Sequence, residues 1–283
     1  MRITLCVKRD LHGCIFLNQL LHHLQGHEIS LLLSDKHRPG EERIPALAEM
    51  AWLERTLPID HIFPEIDRQA RPRATQGSWR TFREMADFYH FSVFTVADRN
   101  ELADALATQP ADLVISARFS LIFTEAMITA TRHGIINIHP AALPEFAGLF
   151  GPMRTLAEGR REFTCAVHSV DRGIDTGPLL YSATLPVRRG EALLHQIADI
   201  YPLAIPWLLD AIAALERGTT LLATPQNRDS RRYRSFPDRA EIDAFIAQGH
   251  CFWDKVAYEN LISRFLPGWQ MSEADMPQAL CSG

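Results

Sequence analysis

Residues 113–139, which read LVISARFSLIFTEAMITATRHGIINIH, indicate the fold class of this chain. The apolar run at 113–116 has the length and composition of a buried strand. A helix is predicted near 124–132, and a second strand at 134–139. A strand, a helix and another strand in close succession are typical of two parallel strands joined by a crossover helix.

The same alternation extends toward the N-terminus. The sequence predicts a strand at 3–7, a helix that ends at Gly26, a strand at 27–33, a helix at 44–53 and a third strand at 59–63. We therefore expect an α/β fold with a Rossmann-like, doubly wound and mostly parallel sheet.

Toward the C-terminus the pattern continues and then changes. We predict a helix at 151–158, strands at 163–170 and 179–187, and a helical segment at 190–217 that Pro202 and Pro206 divide. From about Gly218 the chain is more polar, and Asp238 followed by Glu241 forms a capping-box pattern for one further helix. The predicted units are therefore a main domain, 1–217, and a small helical C-terminal appendage, 218–283.

Composition limits the classes of function. The chain has 283 residues, of which 47% are apolar, and this suits one large domain or a domain with an appendage. A net charge of −5 disfavours a nucleic-acid partner. The five cysteines form no C-x-x-C pair, so we predict neither a metal site nor disulfides. With no signal peptide and no bilayer-length segment, we expect a cytoplasmic protein with no membrane partner.

The segment after the first strand lacks two common nucleotide-binding motifs. It reads Lys8-Arg9-Asp10-Leu11-His12-Gly13, which is neither G-x-G-x-x-G nor a Walker-type phosphate loop. A doubly wound sheet is therefore expected without a nicotinamide or flavin cofactor.

Three polar side chains form the candidate catalytic set. Asn137 and His139 end a predicted strand, and because they are two positions apart they point to the same face. Asp175 lies in a loop that Gly173 and Gly177 mark as tight, and this loop is expected to fold toward the same strand end. A carboxamide and an imidazole can stabilise an oxyanion, and the imidazole–carboxylate pair can transfer the proton, which suits acyl transfer to nitrogen.

Three elements in this order resemble the folate-dependent formyltransferase family: N-x-H at 137–139, L-P-x-F-x-G at 143–148 and G-x-D-T-G-P at 173–178. The family includes glycinamide ribonucleotide transformylase, methionyl-tRNA formyltransferase, and sugar and hydroxyornithine N-formyltransferases. The resemblance implies a formyltransferase catalytic domain that uses 10-formyltetrahydrofolate as donor. It also implies that Asn137 is the oxyanion donor and His139 the polarising acid, while Asp175 holds the imidazole and relays a proton.

The resemblance also implies where the folate binds. The family's pocket uses backbone from two segments, which correspond here to Phe119, Ser120, Leu121 and Ile122, and to Val170, Asp171 and Ile174. Without the resemblance, most of these apolar residues suit a core, and Asp171 suits a turn. His168 is interpreted as a structural residue or an outer neighbour of the site.

Departures from the family pattern bear on the acceptor. The segment 8–13 replaces the glycine-rich phosphate loop of glycinamide ribonucleotide transformylases, which disfavours that substrate. Ala147 stands where a basic residue is common. The tail is shorter and more helical than the tRNA-binding domain of methionyl-tRNA formyltransferase. We therefore expect a small-molecule amine or hydroxylamine acceptor, either amino-acid-like, such as a hydroxyornithine-type siderophore precursor, or an amino sugar.

Two other functions stay open at this point. The chain would act as a formyltetrahydrofolate hydrolase if water replaced the amine, or as a non-catalytic folate-binding domain if only the fold were kept. The oligomeric state is open as well, and the aromatic-rich tail is a candidate contact surface for a homodimer.

Overall fold

In the computed structural model, which describes residues 1–36, 43–69 and 78–277, seven strands form the main sheet. They are β1 (Arg2–Lys8), β2 (Glu28–Ser34), β3 (Ser92–Val96), β4 (Leu113–Ala117), β5 (Ile135–His139), β7 (Glu162–Ser169) and β8 (Leu179–Pro186). A separate short pair consists of β6 (Ala147–Gly148) and β9 (Tyr233–Arg234).

The strand order β3-β2-β1-β4-β5-β7-β8 confirms the predicted doubly wound topology. The first five strands of this order run parallel, and the last two pairings, β5 with β7 and β7 with β8, are antiparallel. The order reverses between β1 and β4, so a crevice is expected beyond the carboxyl ends of these strands. β5, which carries the N-x-H motif, lies one strand away from that crevice.

Helices cover both faces of the sheet. In the described residues they are α1 (Leu11–Leu20), α2 (Pro45–Ala51), α3 (Phe63–Arg68), α4 (Phe82–Tyr89), α5 (Arg99–Thr108), α6 (Glu125–Ala130), α7 (Gly151–Ala157), α8 (Leu193–Ile200), α9 (Ile205–Glu216), α10 (Arg239–Ala247) and α11 (Lys255–Ser263). A π-type helix, Trp52–Ile62, connects α2 to α3. Short 3₁₀ turns lie at Leu21–His23, Tyr201–Ala204, Arg228–Ser230 and Glu273–Asp275.

Alternation along the strands separates two cores. Leu5 and Ile115 face the larger core, together with side chains from α1, α8 and α9. Cys6 and Val114, their neighbours in sequence, face a smaller core beneath α5 and α6. Because the parallel strands are buried on both faces, they read in the sequence as continuous apolar runs.

The prediction of a third strand at 59–63 is wrong. These residues are helical, at the end of the π-type helix and the start of α3. Ile59, Ile62, Phe63 and Ile66 recur at helical spacing and are buried, so packing favours a helix over the short apolar run. The third strand to enter the sheet is β3, an edge strand whose residues are mostly exposed. An exposed edge strand lacks the continuous apolar run that marks the inner strands.

The helical segment 190–217 divides as its prolines predict. Pro202 lies in the 3₁₀ turn between α8 and α9, and Pro206 lies in the first turn of α9, where a missing backbone N–H is tolerated. Leu193–Glu216 is long and apolar enough to cross a membrane by length and composition alone. Half of its most apolar window is buried against the rest of the protein, as in the core helix of a globular domain.

The C-terminal segment packs against the larger core. Asp238 caps α10, and the capping box with Glu241 is present as predicted. Phe245 and Phe252 are buried there, with ring centroids 4.7 Å apart, so these aromatic rings are used within the chain. Side chains of the tail and of the main domain share one hydrophobic cluster, so packing does not separate the two units. The boundary at 217/218 remains a prediction.

Substitution of Phe245 tests this shared core. Phe245→Ala is expected to lower the free energy of unfolding by about 3–5 kcal/mol, because it removes a fully buried aromatic ring. Ile246→Ala is the matched control, since Ile246 is half exposed in the same helix. Urea unfolding should show one cooperative transition for both variants. A separate early transition in the Phe245 variant would show that the tail unfolds independently.

Candidate active site

The end of β5 brings two of the predicted site residues onto one face. Asn137 and His139 alternate with Ile138, which points into the larger core. In the antiparallel pairing with β7, Asn137 lies opposite His168. The amide Nδ2 of Asn137 donates to Nε2 of His168 (3.0 Å), while Nδ1 of His168 donates to the carbonyl of Ser169 (2.9 Å). These two contacts assign the Nδ1–H tautomer to His168.

The loop between β7 and β8 carries Asp175 to the same place. Its Oδ1 lies 3.7 Å from Nδ1 of His139 and 3.6 Å from Nε2 of His168. Its Oδ2 accepts a hydrogen bond from the backbone N–H of Gly148 (2.8 Å). The three residues predicted from the sequence are therefore brought together, with His168 as a fourth member.

Burial and charge act in opposite directions on Asp175. Burial alone would raise the pKa of this carboxyl group. The neighbouring imidazoles of His139 and His168, together with the N–H of Gly148, more than offset burial and hold the pKa of Asp175 well below its usual range. The carboxylate is thus ionised at neutral pH, where it is also a weaker base than an ordinary aspartate.

The ring of His139 has one nitrogen committed to the fold. Nε2 donates to the carbonyl oxygen of Phe146 (2.8 Å). Nδ1 faces Asp175 at a distance longer than a hydrogen bond. Only Nδ1 can therefore serve a reacting group while the ring keeps this position. The ring itself is 5% exposed, which holds its orientation tightly.

Asn137 retains hydrogen-bonding capacity. Its amide nitrogen carries two hydrogens, and His168 takes one of them. The second N–H can donate to an oxygen that gains negative charge, which is the requirement for stabilising an oxyanion. The site thus brings an N–H donor, an imidazole and an ionised carboxylate together beside the end of β5.

Sequence reasoning missed the full contribution of His168 and Gly148. His168, interpreted as a structural residue or an outer neighbour of the site, has a ring that touches both Asn137 and Asp175. The cross-strand position opposite Asn137 becomes visible only once the antiparallel register is known. Gly148 contributes a backbone N–H, which no side-chain pattern reports.

The two segments assigned to the folate pocket pack against the same small core. Phe119 and Val170 pack against the same small core, and Phe119 stacks on Phe123 with ring centroids 5.5 Å apart. Arg172 forms an ion pair with Glu125, which links the loop to the start of α6. The pairing of these segments is consistent with one ligand touching both.

Individual pocket residues differ in exposure and bonding. Ile122 and Ile174 are 49% and 41% exposed, whereas Leu121 is buried. Ser120 bonds to Ser34 through its N–H and its hydroxyl. Asp171 accepts hydrogen bonds within its own loop, from the N–H of Gly173 and the hydroxyl of Thr176, as a turn-forming residue does.

The crevice at the switch point contains a second buried polar cluster. Arg118 donates to Asp10 Oδ2 through Nε (3.0 Å) and Nη2 (2.8 Å), and it lies 3.1 Å from Glu54. Asp10 also accepts from the N–H of Gly13 (2.7 Å) and caps α1. A helix N-terminus in this position often binds phosphate, but here the chain's own carboxylate fills it.

A metal centre is not indicated by the side chains that the structure describes. Within residues 1–36, 43–69 and 78–277, no group of three or more His, Cys, Asp or Glu side chains could hold a metal ion. Arginine side chains between 228 and 234 contact the neighbourhood of the site. Arg231 donates to the carbonyl of Ile174 (2.8 Å), and Arg232 and Arg234 lie near Glu158.

The fold and the site together define a doubly wound α/β domain with an Asn–His–Asp centre at the carboxyl edge of its sheet. Residues 81–199 match the family model described as formyl transferase. Over this segment the chain is similar to the formyl transferase family. The match includes β5, β7 and the loop that carries Asp175.

Curated relatives are similar over part of their length. The methionyl-tRNA formyltransferase of Nitrosomonas europaea is 34% identical over 149 residues, which cover 51% of this chain and 45% of the relative. That of Burkholderia multivorans is 32% identical over 141 residues, covering 48% and 42%. The matched region thus spans less than half the length of either relative.

Solved structures share the fold at low sequence identity. A 4-N formyltransferase from Francisella tularensis superposes with a TM-score of 0.54 at 12% identity, covering 86% of each chain. An N-formyltransferase from Helicobacter canadensis, in complex with folinic acid and dTDP-3-aminofucose, gives 0.53 at 16% identity, covering 93% of this chain and 80% of that one. These likenesses confirm the predicted Rossmann-like fold.

The depressed pKa of Asp175 makes a prediction about stability and pH. A carboxyl group with a lowered folded-state pKa stabilises the protein above its unfolded pKa of about 3.9 and loses that effect as the pH falls through the folded pKa. Asp175→Asn should therefore destabilise the protein more near about pH 7 than near about pH 3 in urea unfolding. Asp104→Asn, at an exposed position on α5, is the matched control. An equal loss at both pH values would contradict the charge-based effect.

Proposed function

We propose that this protein transfers a formyl group from 10-formyltetrahydrofolate to the amine or hydroxylamine nitrogen of a small metabolite. One observation carries the proposal. Asn137, His139 and Asp175 converge at the end of β5, inside the segment that matches the formyl transferase family. Each supplies a group that acyl transfer to nitrogen requires.

The folate carrier supplies a formyl carbon bound to a nitrogen leaving group. Nitrogen of the acceptor forms a bond to that carbon, and the bond from the carbon to the carrier's nitrogen breaks. The acceptor nitrogen loses one proton and the carrier nitrogen gains one, so the transfer is balanced. No oxidant, reductant or metal is needed for this exchange.

The side chains have complementary roles in the proposal. The free N–H of Asn137 donates to the formyl oxygen as negative charge develops there. His139 donates from a protonated Nδ1 to the same oxygen, since its Nε2–H is held by the carbonyl of Phe146. Asp175 is ionised, orients the imidazole and helps relay the acceptor's proton through water.

The folate pocket is proposed between the two segments described above. The backbone of Phe119–Ile122 would line one side, and that of Val170, Asp171 and Ile174 the other. The packing of both segments against the smaller core supports this placement, as does the exposed apolar surface of Ile122 and Ile174. The bound folinic acid named for the Helicobacter canadensis neighbour is the same class of molecule.

The acceptor is proposed to be small. The neighbour from Helicobacter canadensis was solved with an aminosugar nucleotide, which favours amino sugars. An amino-acid-like amine, such as a hydroxyornithine-type precursor, remains a second choice within the same class. The curated relatives are named for methionyl-tRNA, so formylation of an aminoacyl-tRNA is an outcome that the test must include.

We retain the cytoplasmic location, the homodimer and the domain boundary at 217/218 as proposals.

Substitutions in the site test the mechanism. Asn137→Ala should lower kcat by about 10²- to 10³-fold, because the oxyanion donor is lost. His139→Ala and Asp175→Ala should each lower it by about 10²- to 10⁴-fold through lost acid–base function. Asn100→Ala, at an exposed position on α5, is the control and should keep wild-type turnover. Near-normal turnover in the His139 variant would refute the assigned roles.

A screen identifies the acceptor class. Amines, hydroxylamines, amino sugar nucleotides and methionyl-tRNA would each be incubated with 10-formyltetrahydrofolate, and products read by mass spectrometry for one added formyl group. We expect a gain of mass on a small amine. Formate release without any acceptor would favour a hydrolase, and stoichiometric folate binding without turnover would favour a binding domain.

Binding of 5-formyltetrahydrofolate, a non-transferring analogue, tests the pocket separately. Ile122→Asp should weaken its affinity at least about tenfold in calorimetry, because a charge would lie against the apolar face of the ligand. Ile246→Asp, at a similarly exposed position on α10, is the matched control. Unchanged affinity in the Ile122 variant would place the folate elsewhere.

A further inference from the structure

The loop that carries Asp175 is held from outside by the C-terminal segment. The side-chain amide of Gln226 donates to the carbonyl oxygens of Asp175 (3.2 Å) and Gly177 (2.7 Å). Because both partners are carbonyls, the nitrogen of the amide must face the loop. Gln226 thus bridges the carbonyl groups of the two residues that flank Thr176.

The backbone of this loop needs such support. Asp175 has a φ of 53°, in the left-handed region that non-glycine residues seldom occupy. Conformations of this kind persist only where the surroundings hold them. The carboxylate of Asp171 accepts hydrogen bonds from the N–H of Gly173 and the hydroxyl of Thr176, and these bonds hold the first part of the loop. The carbonyl oxygens of Asp175 and Gly177 are held by Gln226.

Neighbouring parts of the C-terminal segment reinforce the contact. Arg231 donates to the carbonyl of Ile174, the residue before Asp175. Thr224 exchanges two backbone hydrogen bonds with Leu179, both 2.8 Å, just after the loop. The segment also pairs with Gly148, whose N–H binds the Asp175 carboxylate. The C-terminal segment therefore contacts the loop and its carboxylate's backbone partner.

The side chain of Gln226 carries a sign of this role. Its Oε1 is buried and has no hydrogen-bond partner among the residues that the structure describes. An unpaired buried acceptor is unfavourable. The position of the Gln226 amide is therefore explained by the hydrogen bonds that its nitrogen donates to the loop.

We infer that Gln226, which lies outside the family-matched segment 81–199, is a positioning residue that sets the geometry of Asp175 for catalysis. The inference rests on the proposed function, since it assigns Gln226 a role through Asp175. Small displacements of a catalytic group reduce rate strongly while leaving substrate affinity less affected. Loss of the amide donors should thus lower kcat more than it changes KM.

Gln226→Met tests the role, because it keeps the length of the side chain and removes both donors. With the acceptor from the screen, kcat should fall by about 10- to 100-fold, with KM for 10-formyltetrahydrofolate close to wild type. Gln226→Lys restores N–H donors and should recover part of the loss. Gln248→Met, the same change at an exposed position on α10's end, should behave as wild type.

A measurement without substrate gives an independent readout. Amide hydrogen exchange of the loop 171–178 and of Gly148 should accelerate in Gln226→Met, since the Asp175 carboxylate would spend less time on the Gly148 N–H. Asp175→Ala should accelerate Gly148 as well. Gln248→Met should change neither region.

The outcomes separate this inference from the proposed function. Wild-type kcat and exchange in Gln226→Met, with Asp175→Ala inactive, would overturn the positioning role and leave the proposed function in place. Full activity in Asp175→Ala would overturn both. If Gln226→Met does not fold, Gln226→Glu also removes both amide donors at the same length, and wild-type kcat and exchange in that variant would equally overturn the inference.

Discussion

The structure of the site depends on one buried carboxylate. An ionised carboxyl group is costly to bury unless it is paired and hydrogen bonded. Asp175 meets this requirement by contacts with His139, His168 and the N–H of Gly148, which come from β5, β7 and β6. Because these groups come from three strands, the site forms only when the strand register and the loops that carry Gly148 and Asp175 bring them together. The chemistry of the site depends on that arrangement.

The sheet supplies a rigid frame for this arrangement. β5 is parallel to β4 and antiparallel to β7, so the end of β7 runs beside the start of β5, and His168 lies opposite Asn137. This antiparallel register places Asn137 and His168 within hydrogen-bonding distance of each other.

The C-terminal segment completes the frame. Short strands at 147–148 and 233–234 pair, and Arg154 bonds to Glu241 in α10 and to carbonyls on both sides of that pairing. At Gly148, with a φ of 97°, an added Cβ would overlap the carbonyl oxygen of Arg234. The loop that presents the Gly148 N–H is therefore built jointly by the domain and its tail. This close packing explains why the tail shares the larger core.

Much of this protein follows from local sequence. Continuous apolar runs predict the inner strands, prolines predict the division between α8 and α9, and the spacing of Asn137 and His139 predicts their common face. These features depend on near neighbours in the chain. Four other features do not depend on near neighbours: the edge strand β3, the helical state of 59–63, the contacts of His168 and the hydrogen bond from Gln226 to Asp175. Tertiary structure alone decided them, because each depends on burial or on partners distant in the sequence.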